Sequence, residues 1–279
     1  VGTFAEYNLN TYILIYRTDN WLLVYSPLPI SFIFLCYLLI IWVGPKLMEK
    51  RQPVNLKPIL MVYNCAMVCL SAYMFYEVLL YVGMFVRDMA RVCWWFYFSK
   101  VIELSDTIFF ILRKKNSQLT FLHVYHHATM IFNWWAGVKY VAGGQSFLIG
   151  LINSLVHVLM YLYYALAAFG PSMSKYLWWK RYLTSLQLLQ FFIVTIHTTY
   201  NLFADCDFPD SMNIVVFAYS LSLIALFSNF YYNSYLHLIS FTNGETTARP
   251  TTPTAPSVMK KKHNCLSPVI PSTPPCGQK

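Results

Sequence analysis

Charge is scarce in this chain. Only 11% of its 279 residues are Asp, Glu, Lys or Arg, against 57% hydrophobic and 18% aromatic residues. A soluble domain carries about 25% charged residues, so this composition belongs to a membrane chain and its length is to be read as a helix count. The seven cysteines contain no Cys-x-x-Cys pair, which argues against a zinc knuckle and a disulfide framework. No internal repeat, soluble domain or separate cleavable signal segment is expected from these residues. The first residue is Val rather than Met, so the start is read as missing or processed. The end carries neither a Lys-Asp-Glu-Leu nor a dilysine-type address. The excess of positive charge, +9, does not call for nucleic acid, because basic residues of membrane proteins collect in cytosolic loops.

A membrane span needs about 20 apolar residues. Seven are expected, over 27–44, 59–84, 92–112, 118–138, 147–168, 177–204 and 212–236, the fourth being weakest because three histidines interrupt it. Lys and Arg then orient the chain. One set of alternate loops holds Lys46, Lys50, Arg51 and Lys57, then Arg113, Lys114 and Lys115, then Lys175, Lys180 and Arg181, then five residues of the tail. The other set holds Arg17, Arg87, Arg91 and Lys139. The richer set is expected in the cytosol, with a lumenal or exterior N-terminus. The expected organisation is a lumenal segment 1–26, a helical membrane domain 27–240, and a tail 241–279. That tail holds seven of the fourteen prolines and reads as solvated and disordered. Its Lys260–Lys262 run reads as a plain solvated charge run.

Four polar clusters interrupt the apolar spans. They are Lys100-Val-Ile-Glu103-Leu-Ser-Asp106-Thr107, His123-Val-Tyr-His126-His127, His157 to Tyr164, and Thr184-Ser-Leu-Gln187-Leu-Leu-Gln190. Residues three and four apart share a helix face. Each cluster therefore forms a stripe: Lys100, Glu103 and Thr107 with Asp106 at the flank; His123, His126 and His127; Asn153, His157, Met160, Tyr161 and Tyr164; Thr184, Gln187 and Gln190, continued by His197. A lipid-facing stripe would leave these groups unpaired, so the stripes are expected to face the bundle interior. At about 1.5 Å of rise per residue, Asp106, His126, His157 and Gln187 lie about 9, 12, 16 and 14 Å from the cytosolic ends of their spans. They should share one layer.

Blander readings stand beside these. His197 alone reads as an interhelical hydrogen bond, Gln187 and Gln190 as polar glue between helices, and Lys100 with Glu103 and Asp106 as a structural ion pair. Tyr163, Tyr164, Trp178 and Trp179 fit an interfacial aromatic belt. A neutral imidazole can be a nucleophile, a base or a metal ligand. With a carboxylate on an adjacent helix, it suits acyl transfer by the logic of a catalytic triad. His-x-x-His-His also resembles one histidine box of membrane di-iron desaturases. Those need about eight histidines in several boxes, and only four of the seven here sit together. No metal is expected. The basic mouth of Lys114, Lys115, Lys180 and Arg181 suits an anionic, phosphate-bearing carrier. A seven-helix transporter or receptor, and a metal-dependent lipid oxidase, are the alternatives from other classes.

The four motifs, in this order and spacing, resemble the very-long-chain fatty acid elongase family over about 20–240. Gly44-Pro-Lys46-Leu-Met-Glu49, Phe109 to Ser117 and Lys175 to Thr184 resemble it too. Val141-Ala-Gly-Gly-Gln145, Phe169-Gly-Pro171 and Asp205-Cys206 are most similar to the member acting on very long and polyunsaturated chains. The resemblance implies an all-α membrane protein of seven transmembrane helices, six forming an inverted barrel around an acyl tunnel. It implies a multi-pass protein of the endoplasmic reticulum that associates with other elongases, as homo- or hetero-oligomers, and with later enzymes of the elongation cycle. The implied activity is the condensation of acyl-CoA with malonyl-CoA to 3-ketoacyl-CoA, carbon dioxide and CoA, with no cofactor beyond these CoA thioesters.

Carried onto this chain, His126 is expected to hold the acyl group as an acyl-imidazole, with His157 across the tunnel at the reacting centre. Asp106, Glu103, His123 and His127 are expected to orient the histidines. Lys100, Asn153, Tyr161, Tyr164, Gln187 and Gln190 are expected to hold substrate or support the site. The chain departs from the family between the second and third spans, where a longer lumenal loop with a cysteine is absent. That cysteine's counterpart in relatives pairs with the position of Cys206, and Cys93 is the nearest candidate here.

Overall fold

The computed structural model describes residues 18, 20–84, 89–141, 146–204 and 209–236. Among them all regular structure is helical. Seven long helices follow one another: α1 (Pro27–Met48), α2 (Lys57–Met84), α3 (Met89–Leu112), α4 (Phe121–Tyr140), α5 (Ser146–Ala168), α6 (Lys180–Phe203) and α7 (Asp210–Tyr231). Each coincides with an expected span to within a few residues. The segments 1–17 and 241–279, the shortened loop at 85–88, and Gln145, Asp205, Cys206, His237 and His263 lie outside the described residues.

The boundaries differ where local chemistry overrides hydropathy. The expected end of α1 at residue 44 is corrected to Met48, because the helix runs through Gly44 and Pro45. A proline near the last turn removes one backbone donor without ending the helix. Gly44 is also useful there: a Cβ at that position would lie 3.0 Å from the Ile111 side chain of α3. The start of α4 moves from 118 to 121. Residues Asn116–Gln118 form a 3-10 turn, and the Thr120 hydroxyl accepts from the His123 backbone N–H at 3.3 Å. This N-cap satisfies one of the donors that a helix start leaves free.

Four stretches are long and apolar enough to cross a membrane: Pro27–Met48, Lys57–Leu80, Ser146–Ala168 and Asp210–Leu236. These are the helices of a multi-pass membrane protein. The remaining long helices, α3, α4 and α6, carry Lys100, Glu103 and Asp106, the three clustered histidines, and Gln187 with Gln190. Their polarity is the cost of hosting the site.

The helices contact one another in a closed circuit: α2 with α3, α3 with α4, α4 with α7, α7 with α6, α6 with α5, and α5 with α2. Helix α1 rests on α3 and α4. It exposes Leu28, Phe32, Leu35, Leu39 and Trp42, the face expected of a helix against lipid. The segment before α1 is fastened to α3 and α4 by three side-chain donors. Trp94 Nε1 donates to the Leu22 carbonyl (3.1 Å), Tyr97 to that of Leu23 (3.0 Å) and Lys139 to that of Tyr25 (3.2 Å). Val24, between them, is fully buried.

Below the polar stripe of α3, buried apolar residues of α3 and α4 pack against one another. Phe96 stacks on Trp134 with centroids 5.0 Å apart. Across from it, a Cβ on Gly150 of α5 would lie 3.0 Å from the Phe96 ring. Gly150→Val therefore overpacks α3 against α5 and is expected to cost about 1–3 kcal/mol. A thermal melt in detergent should show a lowered midpoint; an unchanged one would mean that the ring can slide aside.

Candidate active site

Helix periodicity puts Lys100, Glu103 and Thr107 on one face of α3, where all three are buried. Asn153 and His157 of α5 face them and are also buried. Lys100 Nζ donates to Glu103 Oε1 at 2.8 Å and to Asn153 Oδ1 at 3.2 Å, and lies 3.4 Å from His157 Nε2. His157 Nδ1 lies 3.3 Å from the same Glu103 oxygen. An ammonium only donates and a carboxylate only accepts. His157 is thus set with its lone pair on Nε2, towards Lys100, and its proton on Nδ1, towards Glu103. The opposite charges of Lys100 and Glu103 meet inside the bundle, which a buried ion requires.

The histidine turn of α4 is anchored differently at each ring. His123 Nε2 meets Thr107 Oγ1 at 2.8 Å, and Thr107 in turn meets the Tyr37 hydroxyl of α1 at 3.1 Å. His127 lies between the other two rings, 4.4 Å from His123 and 5.6 Å from His126 between centroids. His126 Nδ1 lies 3.2 Å from the Tyr219 hydroxyl of α7. Among the described residues no side chain bonds His126 Nε2. His126 and His127 are half-buried, so they keep the access that a reacting group needs. The His123–Thr107 contact ties this turn of α4 to α3 one turn from Glu103, on the buried face that carries Lys100 and Glu103.

The expected layer is therefore assembled from α3, α4 and α5, with α7 added. Several single expectations change. Asp106 was expected to orient the histidines, but its carboxylate accepts from Tyr161 at 3.0 Å. It lies one turn beyond Glu103 on α3 and meets α5 one turn beyond His157. The groups that bond the histidines are Lys100 and Glu103 on His157, Thr107 on His123 and Tyr219 on His126. Lys100, expected to hold substrate or support the site, contacts Glu103, Asn153 and His157. Gln187 and Gln190 do not join the histidines: Gln187 Nε2 reaches Met160 Sδ at 3.6 Å, and the buried Gln190 Oε1 has no partner among the described residues. Tyr161 is fully buried, while Tyr164 packs edge-on against it and is exposed.

At the basic end, Lys114 donates to the Glu49 carbonyl at 2.9 Å and Arg181 to the Tyr231 hydroxyl at 2.7 Å. Lys115 and Lys180 are exposed. His197 bonds Asn201 on its own helix at 3.2 Å rather than a neighbouring one. Cys93 is buried, with its sulfur 3.8 Å from Ser146 Oγ. Among the described residues, no three His, Cys, Asp or Glu side chains are grouped as metal ligands would be.

Sequence reasoning missed Tyr219, Thr129 and Tyr37. Thr129 follows His126 by three residues and was findable by the same periodicity. Tyr219 and Tyr37 lie on helices whose hydropathy gives no polar stripe, and only packing reveals their role.

Residues 22–239 match the family described as ELO, the GNS1/SUR4 family. The chain is 47% identical over 237 residues to very long chain fatty acid elongase 4 of Macaca mulatta, covering 78% of this chain and 75% of that protein. Identity to very long chain fatty acid elongase 4 of Homo sapiens is 46% with the same coverage. Very long chain fatty acid elongase 5 of Mus musculus is 45% identical over 234 residues, 78% of each chain.

Proposed function

Since this chain belongs to the GNS1/SUR4 family of very-long-chain fatty acid elongases, we propose that it condenses long or very long acyl-CoA with malonyl-CoA. The products are a 3-ketoacyl-CoA two carbons longer, carbon dioxide and CoA, which makes it an acyltransferase. The observation that carries this reading is the half-buried His126 turn of α4 set close to the Lys100–Glu103–Asn153–His157 cluster. Acyl transfer needs a nucleophile with access and a neighbouring group of fixed protonation. His126 meets the first need and His157 the second.

In this reading His126 attacks the acyl thioester and keeps the chain as an acyl-imidazole. Malonyl-CoA then loses carbon dioxide, and its carbanion takes the acyl group. His157, locked by Lys100 and Glu103, lies at the reacting centre. His123 and His127 complete the turn, and Asp106 with Tyr161 braces α3 against α5. The closed circuit α2–α3–α4–α7–α6–α5 is the wall of an inverted barrel around an acyl tunnel, with α1 outside. All seven helices span the membrane of the endoplasmic reticulum, N-terminus lumenal and C-terminus cytosolic. Lys114, Lys115, Lys180 and Arg181 then face the arriving CoA phosphates. Very long and polyunsaturated chains are the substrate class. Other elongases and the later enzymes of the cycle are partners, and no metal or cofactor takes part.

The test is direct. Microsomes bearing this chain are incubated with long acyl-CoA and labelled malonyl-CoA, and the products are identified by mass. A labelled 3-ketoacyl-CoA or its reduced descendants, two carbons longer than the substrate, is the expected result. Its absence beside an active relative would reject the reading.

A further inference from the structure

Helix α7 contributes no ionisable site by sequence, yet it supplies the contact to the ring proposed to react. Tyr219 Oη lies 3.2 Å from His126 Nδ1. Thr129, one turn beyond His126, gives its single hydroxyl hydrogen to the Tyr125 carbonyl at 2.7 Å, so its oxygen, 3.0 Å from Tyr219 Oη, is free to accept from Tyr219. A second clasp between the same helices, Tyr125 Oη to Ser222 Oγ at 2.9 Å, fixes their register. We propose that Tyr219 is a positioning residue that turns His126 Nε2 towards the acyl thioester and serves both states of the ring by reversing its own hydrogen bond. The inference rests on His126 being the nucleophile.

The chemistry demands such a partner. In the free enzyme Nδ1–H donates to Tyr219 Oη, and the Nε2 lone pair attacks the thioester carbonyl. The C–S bond breaks, and the electron pair leaves on sulfur. The Nδ1 proton passes to solvent and the thiolate takes one from solvent, so the products are neutral acyl-imidazole and CoA thiol. Nδ1 now carries a lone pair and needs a donor. In the second half, the C–C bond to the malonyl carboxylate breaks and carbon dioxide leaves. The electron pair on the α-carbon attacks the acyl carbonyl, and the C–N bond breaks towards the ring. A donor at Nδ1 supports the leaving imidazole, which takes up one proton from solvent to restore the starting state.

A hydroxyl can play both parts. The Tyr219 hydrogen can rest on Thr129 Oγ1 while a Tyr219 lone pair accepts from Nδ1–H, and can turn to Nδ1 once that proton is gone. A carboxylate there could only accept, and an ammonium could only donate.

The experiment uses the full chain in detergent micelles. Labelled acyl-CoA measures acylation in a single turnover, and a malonyl-CoA chase measures discharge. Tyr219→Phe is expected to slow both steps, by roughly 10-fold or more, as loss of an orienting partner typically does. A fluorinated tyrosine introduced at 219 keeps the shape while making the hydroxyl a better donor and a poorer acceptor. It should slow acylation and speed discharge, a split that a merely structural role would not produce. The fluorinated variant also decides the matter if Tyr219→Phe fails to fold. Rates unchanged by fluorination, or both steps shifted the same way, would overturn the proposal. His126→Ala is the control: label retained there rejects His126 itself, whereas label lost there with indifferent Tyr219 variants rejects only the role of Tyr219.

Discussion

His126→Ala is expected to eliminate acyl-enzyme formation and to lower turnover by roughly 10⁴-fold or more, the scale set by removing a nucleophile. The loss should not come from unfolding. The ring is half-buried, and its one hydrogen bond among the described residues joins a tyrosine that keeps Thr129. The discriminating comparison is His157→Ala. Both nitrogens of His157 are occupied, by Lys100 and Glu103. A nitrogen whose lone pair already accepts from an ammonium is a poor nucleophile. His157→Ala should therefore still take label from acyl-CoA at His126 while failing in the malonyl-CoA chase. Single-turnover labelling followed by peptide mapping reads both. Label persisting in His126→Ala, or vanishing only in His157→Ala, would exchange the two roles.

Breaking the buried pair should have the second large effect, this time on stability. Lys100 and Glu103 are each 2% exposed and 2.8 Å apart. Lys100→Met preserves most of the volume but leaves Glu103 as a buried charge with its cation gone. Loss of one partner from such a pair costs about 3–5 kcal/mol. That should appear as a sharply lower melting point in detergent, or as failure to accumulate. Lys100→Met combined with Glu103→Gln removes both charges and should recover most of the stability, because the two substitutions act on one interaction and are not additive. Activity should not return with it, since His157 loses both groups that fix its protonation. A double variant as unstable as Lys100→Met would show that the charges do not stabilise each other here.

The same geometry explains why some expected residues drop out of the centre. Spacing puts Asp106 one turn beyond Glu103 on α3, but the partner it meets on α5 is Tyr161 rather than His157. Gln187 and Gln190 repeat at helical spacing, as interior residues do, yet their helix meets α5 at Met160 rather than at His157. A periodic pattern tells which residues share a face. It does not tell which neighbour that face will meet.

The sequence by itself determined the seven helices, because apolar runs of this length have few other solutions in lipid, where every backbone polar group must be satisfied within its own segment. It also marked out the turns that hold the clustered polar groups, because ionisable groups are costly in such segments and stand out against them. Local spacing of three and four residues was enough to align Lys100 with Glu103 and His123 with His126 and His127. Tertiary structure alone decided what each polar group bonds: Glu103 and Lys100 on His157, Thr107 on His123, Tyr219 on His126, Tyr161 on Asp106. Those pairings join residues distant along the chain and depend on distances of a few tenths of an ångström between helices. Such distances follow from how whole helical surfaces pack, and no single segment encodes them.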